Sequence, residues 1–292
     1  MSTIEKAIGK LSELTQGDVQ PASDIIGSAV SGAGADESRP ISSKQSPNRV
    51  ELELARLERM GFLTPESGRG QLNEEIRHVK RPLLINAFRS GDAYQASNLI
   101  MITSARPGEG KTFTSINLAM SIAKERDKTV LLVDADVARP SVSRTLGLEP
   151  KLPGLVDYLV DDSLALSDIL LKTNVPNLRV LPAGRSHIHS TELLASDAMR
   201  QLVTEMSQRY SDRIVIIDSP PLLATSEAAV LAGLVGQIVM VVESDKTSRQ
   251  EVNDALSSLD QSKMIGLVLN KARPMFTSDY YGYYGGYGSS GD

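Results

Sequence analysis

Six short, uninterrupted apolar runs divide the middle of this chain, and they limit what it can fold into more than any other feature. They are Leu99 to Thr103, Val130 to Val133, Leu178 to Leu181, Ile214 to Ile217, Ile238 to Val242 and Ile265 to Leu269. A strand with one wet face alternates apolar and polar residues, whereas continuous Val, Ile and Leu suit strands covered on both sides. Helical patterns fill the intervals. The expected fold is therefore α/β, a mostly parallel sheet with helices on both faces from about Leu99 to Asn270. Ligands of such sheets bind beyond the carboxyl ends of the strands, where several of these runs stop on polar or charged residues.

The strongest chemical signal follows the first run. Ala105-Arg106-Pro107-Gly108-Glu109-Gly110-Lys111-Thr112 precedes an amphipathic helix carrying Phe113, Ile116, Ala119, Met120 and Ala123. This is a phosphate-binding loop in its required strand-loop-helix setting. Its glycines let backbone N–H groups face phosphate oxygens, and the helix N-terminus adds partial positive charge there. Lys111 is placed to neutralise the β- and γ-phosphates, and the Thr112 hydroxyl to coordinate Mg²⁺. Two acidic motifs end other runs: Val133-Asp134-Ala135-Asp136 and Ile217-Asp218-Ser219-Pro220. Carboxylates at that edge can hold Mg²⁺ directly or through water, and one can accept a proton from an attacking hydroxyl.

Composition narrows the classes further. Of 292 residues, 41% are hydrophobic, enough for a sizeable core. The net charge of -5 argues against a nucleic-acid-binding surface over the whole molecule. With no cysteine, the chain has no disulfide framework, thiolate metal site or cysteine nucleophile. The opening MSTIEKAIGK lacks the apolar core of a secretion signal, and Val230 to Val242 is too short to span a bilayer, which needs about 20 residues. The expectation is a soluble, cytoplasmic protein.

Outside the sheet region, residues 1–15 read as a short amphipathic helix, with Ser2 and Glu5 as a capping box and Ile4, Ala7, Ile8, Leu11 and Leu14 on one face. It suits docking on its own protein better than an anionic lipid surface, because Lys and Glu alternate on its polar side. Residues 16–48, rich in Ser, Gly, Ala and Pro, read as a flexible linker. Helical patterns over Val50 to Met60 and Leu72 to Phe88 make 49–90 a helical lead into the domain at 91–273. Residues 274–292 form a Gly/Tyr-rich tail holding Tyr280, Tyr281, Tyr283, Tyr284 and Tyr287, five of the eight tyrosines. His187 and His189 read as part of a solvated loop.

The loop with Ala in its first position, the Asp-x-Asp motif and the Asp-x-x-Pro motif together resemble the bacterial tyrosine kinases. The wording EEIRHVKRPLLINAF, PGEGKTFTSINLAMSIA and DADVARP is similar to the autokinases found with exosortase-type exopolysaccharide loci. The resemblance runs from about Leu72 to the C-terminus and implies a P-loop NTPase fold with ATP and Mg²⁺ as cofactors. It implies that Arg106, Pro107, Gly108, Glu109, Gly110, Lys111, Thr112 and Phe113 surround the nucleotide, with Asn270 at its base. Thr112, Asp136 and Asp218 would organise Mg²⁺, and Asp134 would accept the tyrosine proton. Lys111, Asp134, Asp136 and Asp218 thus form the catalytic set. Ala138 stands where the family has Arg, and Arg139 follows it. The family's oligomerisation motif appears as Glu74, Arg77 and Lys80, where Lys80 cannot reproduce a bidentate guanidinium.

The resemblance also implies autophosphorylation of the tail, whose unphosphorylated form binds a neighbour in trans and whose phosphorylated form, carrying about -1.5 to -2 charge per tyrosine, releases it. The partners implied are a membrane-bound polysaccharide chain-length regulator as activator, a homo-oligomer and a tyrosine phosphatase, with no nucleic acid. The protein would then sit peripherally at the inner face of the membrane. Two other classes fit the P-loop: a MinD/ParA-like ATPase, opposed by Arg106 at the place of its signature lysine and by Pro107 in place of a glycine, and a nucleotide-binding adaptor without kinase activity.

Overall fold

The computed structural model describes residues 48–88, 96–209 and 212–272. The expected N-terminal helix, the linker up to residue 47 and the tyrosine tail lie outside the described residues. Eight strands form one sheet: β1 Arg49–Val50, β2 Leu99–Ser104, β3 Thr129–Asp134, β4 Leu171–Thr173, β5 Leu178–Leu181, β6 Arg213–Asp218, β7 Gln237–Glu243 and β8 Met264–Asn270. Their order is β1-β4-β5-β3-β6-β2-β7-β8, and every neighbouring pair is parallel except β4 with β5. All six apolar runs are strands.

Ten helices are described. The first four are α1 Leu54–Arg59, α2 Gln71–Ala87, α3 Lys111–Ala123 and α4 Val142–Leu146. There follow α5 Leu155–Val160, α6 Leu166–Ile169, α7 Ser190–Leu194, α8 Asp197–Gln208, α9 Ser226–Leu234 and α10 Arg249–Ser257. They cover both faces of the sheet, as the continuous runs require. Leu99, Met101, Leu131, Val133, Val215 and Ile217 point into one core with residues of α5, α8 and α9. Ile100, Ile102, Val130, Leu132, Ile214 and Ile216 point into the other, against α1, α2 and α3. Alternate residues of one strand thus enter opposite cores.

Two expectations for the N-terminal part are corrected. Val50 belongs to a strand rather than a helix, since Arg49 and Val50 pair with Lys172 and Thr173. The Asn174 side chain then takes both the N–H and the carbonyl of Leu52, at 2.9 and 3.1 Å, which keeps the segment extended until Leu54. Asn48, assigned to the linker, is bonded through its carbonyl to Lys172 N at 2.8 Å.

The second concerns Lys80 alone among Glu74, Arg77 and Lys80. Glu74 and Arg77 pair at 2.7 Å on the exposed side of α2, but Lys80 is buried and donates to Ser121 O at 3.1 Å and Glu125 Oε1 at 2.5 Å. Three residues advance about 300° round a helix, so the third member of such a motif lies about 120° from the first. Lys80 is a strut between α2 and α3. Lys80→Ala is expected to cost about 1–2 kcal/mol by stranding the Ser121 carbonyl, whereas Arg77→Ala should change stability by under about 0.5 kcal/mol. Denaturant unfolding of the two variants reads this difference directly.

Candidate active site

The site begins where β2 gives way to α3. Gly108 and Gly110 have φ of +88° and +104°, in the left-handed region. A Cβ on Gly110 would also come within 2.0 Å of Asn270 Nδ2, so this position needs glycine twice over. Gly110 caps α3, which leaves the first-turn amides and Lys111 at the mouth of a cleft of about 480 Å³. The 13-residue helix aims its positive end there.

Under the cleft lie two buried carboxylates. Asp134 and Asp218 end β3 and β6 and are register partners on adjacent strands. Asp218 accepts from Thr112 Oγ1 at 2.7 Å and from Ser115 Oγ at 2.9 Å. Thr112 Oγ1 lies 2.6 Å from Ser141 Oγ. Asp134 Oδ2 accepts the backbone N–H groups of Ser141 and Val142 at 3.1 and 3.0 Å, where the chain enters α4. Its Oδ1 is buried without a partner.

Burial pushes the Asp134 carboxyl up to about 8, with the charges of Asp218 and Asp136 adding to it and the Val142 and Ser141 amides opposing. Burial likewise raises Asp218 to about 6, against the pull of the Thr112 and Ser115 hydroxyls and the Lys111 ammonium. Asp136 is also raised by burial, opposed by Lys111 and Arg139. These are acids short of positive charge, each held where a cation would ionise it.

The donor set fits Mg²⁺. No cluster of three or more His, Cys, Asp or Glu among the described residues forms a closed metal cage, and Mg²⁺ typically takes one or two carboxylates, with water and substrate phosphates completing its octahedron. Thr112, Asp218 and Asp136 would hold it. Among the described residues two buried side-chain polar atoms lack a partner: Thr225 Oγ1, whose residue lines the cleft, and Asp134 Oδ1, whose residue lies beneath it and is not part of the lining. An orphaned hydroxyl on the cleft wall points to a ligand that satisfies it.

Of the expected residues, Pro107, Gly108, Gly110, Lys111, Thr112, Phe113 and Asp136 line the cleft, joined by Ala138, Arg139, Ser141, Arg144, Pro221, Ala224 and Thr225, while Asp134 and Asp218 do not line it. Three expected nucleotide contacts turn elsewhere. The Glu109 carboxylate, 2% exposed, accepts from Arg106 N at 2.7 Å and from the hydroxyl of Thr247. The Arg106 guanidinium pairs with Glu251 at 3.1 Å. Asn270 Nδ2 donates to the Glu109 carbonyl at 2.8 Å. These side chains brace the loop against β7, β8 and α10 instead of lining the cleft. Arg139 lines it from the position after Ala138, and its backbone N–H donates to Asp136 Oδ1 at 3.2 Å.

A phosphate loop at a helix N-terminus, flanked by buried acids on neighbouring parallel strands, defines a P-loop nucleotide enzyme. Residues 97–265 match the AAA domain family. Tyrosine-protein kinase CpsD of Streptococcus agalactiae is 34% identical over 222 residues, covering 74% of this chain and 94% of CpsD. Tyrosine-protein kinase YwqD of Bacillus subtilis (strain 168) is 36% identical over 215 residues, covering 73% and 86%. Among solved structures, the VpsO kinase domain superposes with a TM-score of 0.59 at 28% identity, covering 69% of this chain and 96% of that one. The kinase domain of Escherichia coli ETK gives 0.58 at 26%, covering 77% and 98%. The chain belongs to the bacterial tyrosine-protein kinases and is a protein-tyrosine kinase. No helix among the described residues is long and apolar enough to cross a membrane.

Proposed function

We propose that this kinase transfers the γ-phosphoryl group of Mg·ATP to tyrosines of its own C-terminal segment, Tyr280, Tyr281, Tyr283, Tyr284 and Tyr287, and so regulates exopolysaccharide synthesis or export. The observation that carries this reading is the unpartnered Asp134 Oδ1 beside the phosphate loop. In a chain that keeps five of eight tyrosines near its C-terminus, that oxygen would serve as the base once a bound cation draws the proton off the buried carboxyl. Lys111 and the α3 amides hold the β- and γ-phosphates, while Thr112, Asp136 and Asp218 hold Mg²⁺. The metal's chemistry is neutralisation of the negative charge on the transferring group. Asp134 Oδ1 takes the proton from the tyrosine Oη as the new O–P bond forms and the β–γ bridging O–P bond breaks. The Ser141 and Val142 amides keep the other oxygen still.

The partners in this reading are neighbouring copies that bind the tail in trans, a membrane-bound chain-length regulator that activates the kinase and holds it at the inner face of the membrane, and a tyrosine phosphatase that reverses the modification. Incubation with Mg·ATP followed by anti-phosphotyrosine detection tests the central claim. Labelling is expected in the full chain and absent after Lys111→Met or after tyrosine-to-Phe substitution at all five tail positions. Label that persists in the five-fold variant would move the acceptor elsewhere. Phosphate release without label would favour a MinD/ParA-like ATPase, and neither signal a nucleotide-binding adaptor.

A further inference from the structure

The loop that carries the chain from β6 to α9 borders the cleft through Pro221, Ala224 and Thr225. Loops that face bound phosphate usually offer it backbone N–H groups, but this one has none to spare before its last residue. Ser219 N donates to Ile102 O at 3.1 Å, and Pro220 and Pro221 carry no N–H. Leu222 N donates to Ser104 O at 2.8 Å, Leu223 N to Ala105 O at 3.2 Å and Ala224 N to Pro221 O at 3.2 Å. The Ser219 hydroxyl donates to the Ile102 carbonyl at 3.0 Å. Every main-chain donor from 219 to 224 is thus absent or already spent. Thr225 differs. It occupies the cap position of α9, yet its side chain accepts no bond from that helix. Its Oγ1 is buried and bonded to nothing among the described residues. A buried hydroxyl that neither caps its helix nor meets another group is costly until something outside the chain satisfies it.

We propose that Thr225 is a substrate-binding residue whose Oγ1 donates a hydrogen bond to the terminal phosphoryl group of ATP; this deepens the kinase reading above and rests on its Mg·ATP. Three observations carry it. Thr225 shares the cleft with Lys111 and Thr112. The strand it follows, β6, ends on Asp218, which accepts the Thr112 hydroxyl at 2.7 Å, so the loop leaves from the metal and phosphate end of the site. The cations of the cleft, Lys111, Arg139 and Arg144, select a polyanion. In a phosphate loop the backbone amides are used chiefly on the α- and β-phosphates. The γ-phosphoryl oxygens are left for a donor on another element, and Thr225 stands at the positive N-terminus of the nine-residue α9. A diphosphate has no such group. The hydroxyl is therefore satisfied by ATP and orphaned again by ADP, which makes it a device for telling substrate from product and for favouring release of the product.

Thr225→Val keeps the shape of the side chain and removes its hydroxyl, while Thr225→Ser keeps the hydroxyl. The full chain, with Mg²⁺, is titrated calorimetrically with a non-hydrolysable ATP analogue and with ADP. Thr225→Val is expected to bind the analogue about ten-fold more weakly or worse, the effect of losing one hydrogen bond to a charged group, and to bind ADP as the wild type does. Thr225→Ser should recover most of the analogue affinity. Without nucleotide, Thr225→Val should unfold at no lower temperature than the wild type, because no internal bond is lost. Equal weakening of the analogue and ADP overturns the proposal and makes Thr225 a residue that only shapes the loop. Unfolding more than about 4 °C earlier also overturns it, by revealing an internal partner for the hydroxyl. So does unchanged analogue affinity, and if phosphotyrosine labelling nevertheless falls at saturating ATP, the hydroxyl serves the acceptor tyrosine instead. A wild type that binds neither nucleotide would defeat the Mg·ATP reading itself and this proposal with it, a result distinct from a wild type that binds both and a variant that matches it.

Discussion

Asp134→Asn is expected to slow phosphoryl transfer by about 10²–10⁴-fold while making the metal-free protein more stable. The two effects share one cause. Asp134 is fully buried at the end of β3, beside Asp218, and its carboxyl is raised to about 8. An unfolded chain ionises Asp near pH 3.9. Between these values the native state binds the extra proton, so stability of the wild type must fall as pH rises from about 4 to about 8. The amide removes that penalty. Its oxygen can still accept the Ser141 and Val142 N–H groups, and its NH₂ replaces the orphaned Oδ1. The gain should be roughly 2–4 kcal/mol at pH 8 and vanish near pH 4. Asp218 is also raised by burial and sits beside Asp134, so the two carboxyls titrate as a pair and the difference between wild type and variant gives the share of Asp134. Chemical denaturation in EDTA across that range measures it, and a parallel pH profile for wild type and variant would refute the assignment.

Gly110→Ala is expected to remove nucleotide binding within the accessible concentration range and to destabilise the fold. Left-handed backbone costs an L-residue about 1–2 kcal/mol, and the new Cβ would press on Asn270 Nδ2, 2.0 Å away. The loop or the Asn270 side chain must then shift, and Asn270 braces the loop through the Glu109 carbonyl. Combining Gly110→Ala with Asn270→Ala relieves the clash but not the backbone strain. The double variant should therefore regain part of the stability and little of the affinity. Titration with a fluorescent ATP analogue, beside thermal unfolding, separates the two contributions. Full recovery of binding in the double variant would show that the clash alone mattered.

Much of this could be read from the residue order because burial leaves a local trace. The six continuous Val/Ile/Leu runs report strands covered on both faces, and the spacing of Gly110, Lys111 and Thr112 reports a loop whose backbone does the binding. What stayed hidden depends on contacts distant in sequence. Strand β1 has two residues and β4 three, too short for a periodic pattern, and they exist because Arg49 and Lys172 meet across 123 positions. Ser141, Arg144 and Thr225 gave no motif, since Ser141 and Thr225 reach the cleft at the starts of the helices after β3 and β6 and Arg144 from within α4. Ser141 offered one usable signal, a helix start directly after Arg139-Pro140, which returns its amide to Asp134. Lys80 misled because charge spacing on α2 does not say which side of the helix meets α3.

Lys271 closes the last strand, and its ammonium holds the Gly108 carbonyl at 2.7 Å and Glu243 at 3.1 Å. The chain therefore leaves its last strand from a residue fastened directly to the phosphate loop. Any pull on the chain beyond Lys271 would reach the Gly108 backbone through that one ammonium, so the strand end and the phosphate loop move as a unit.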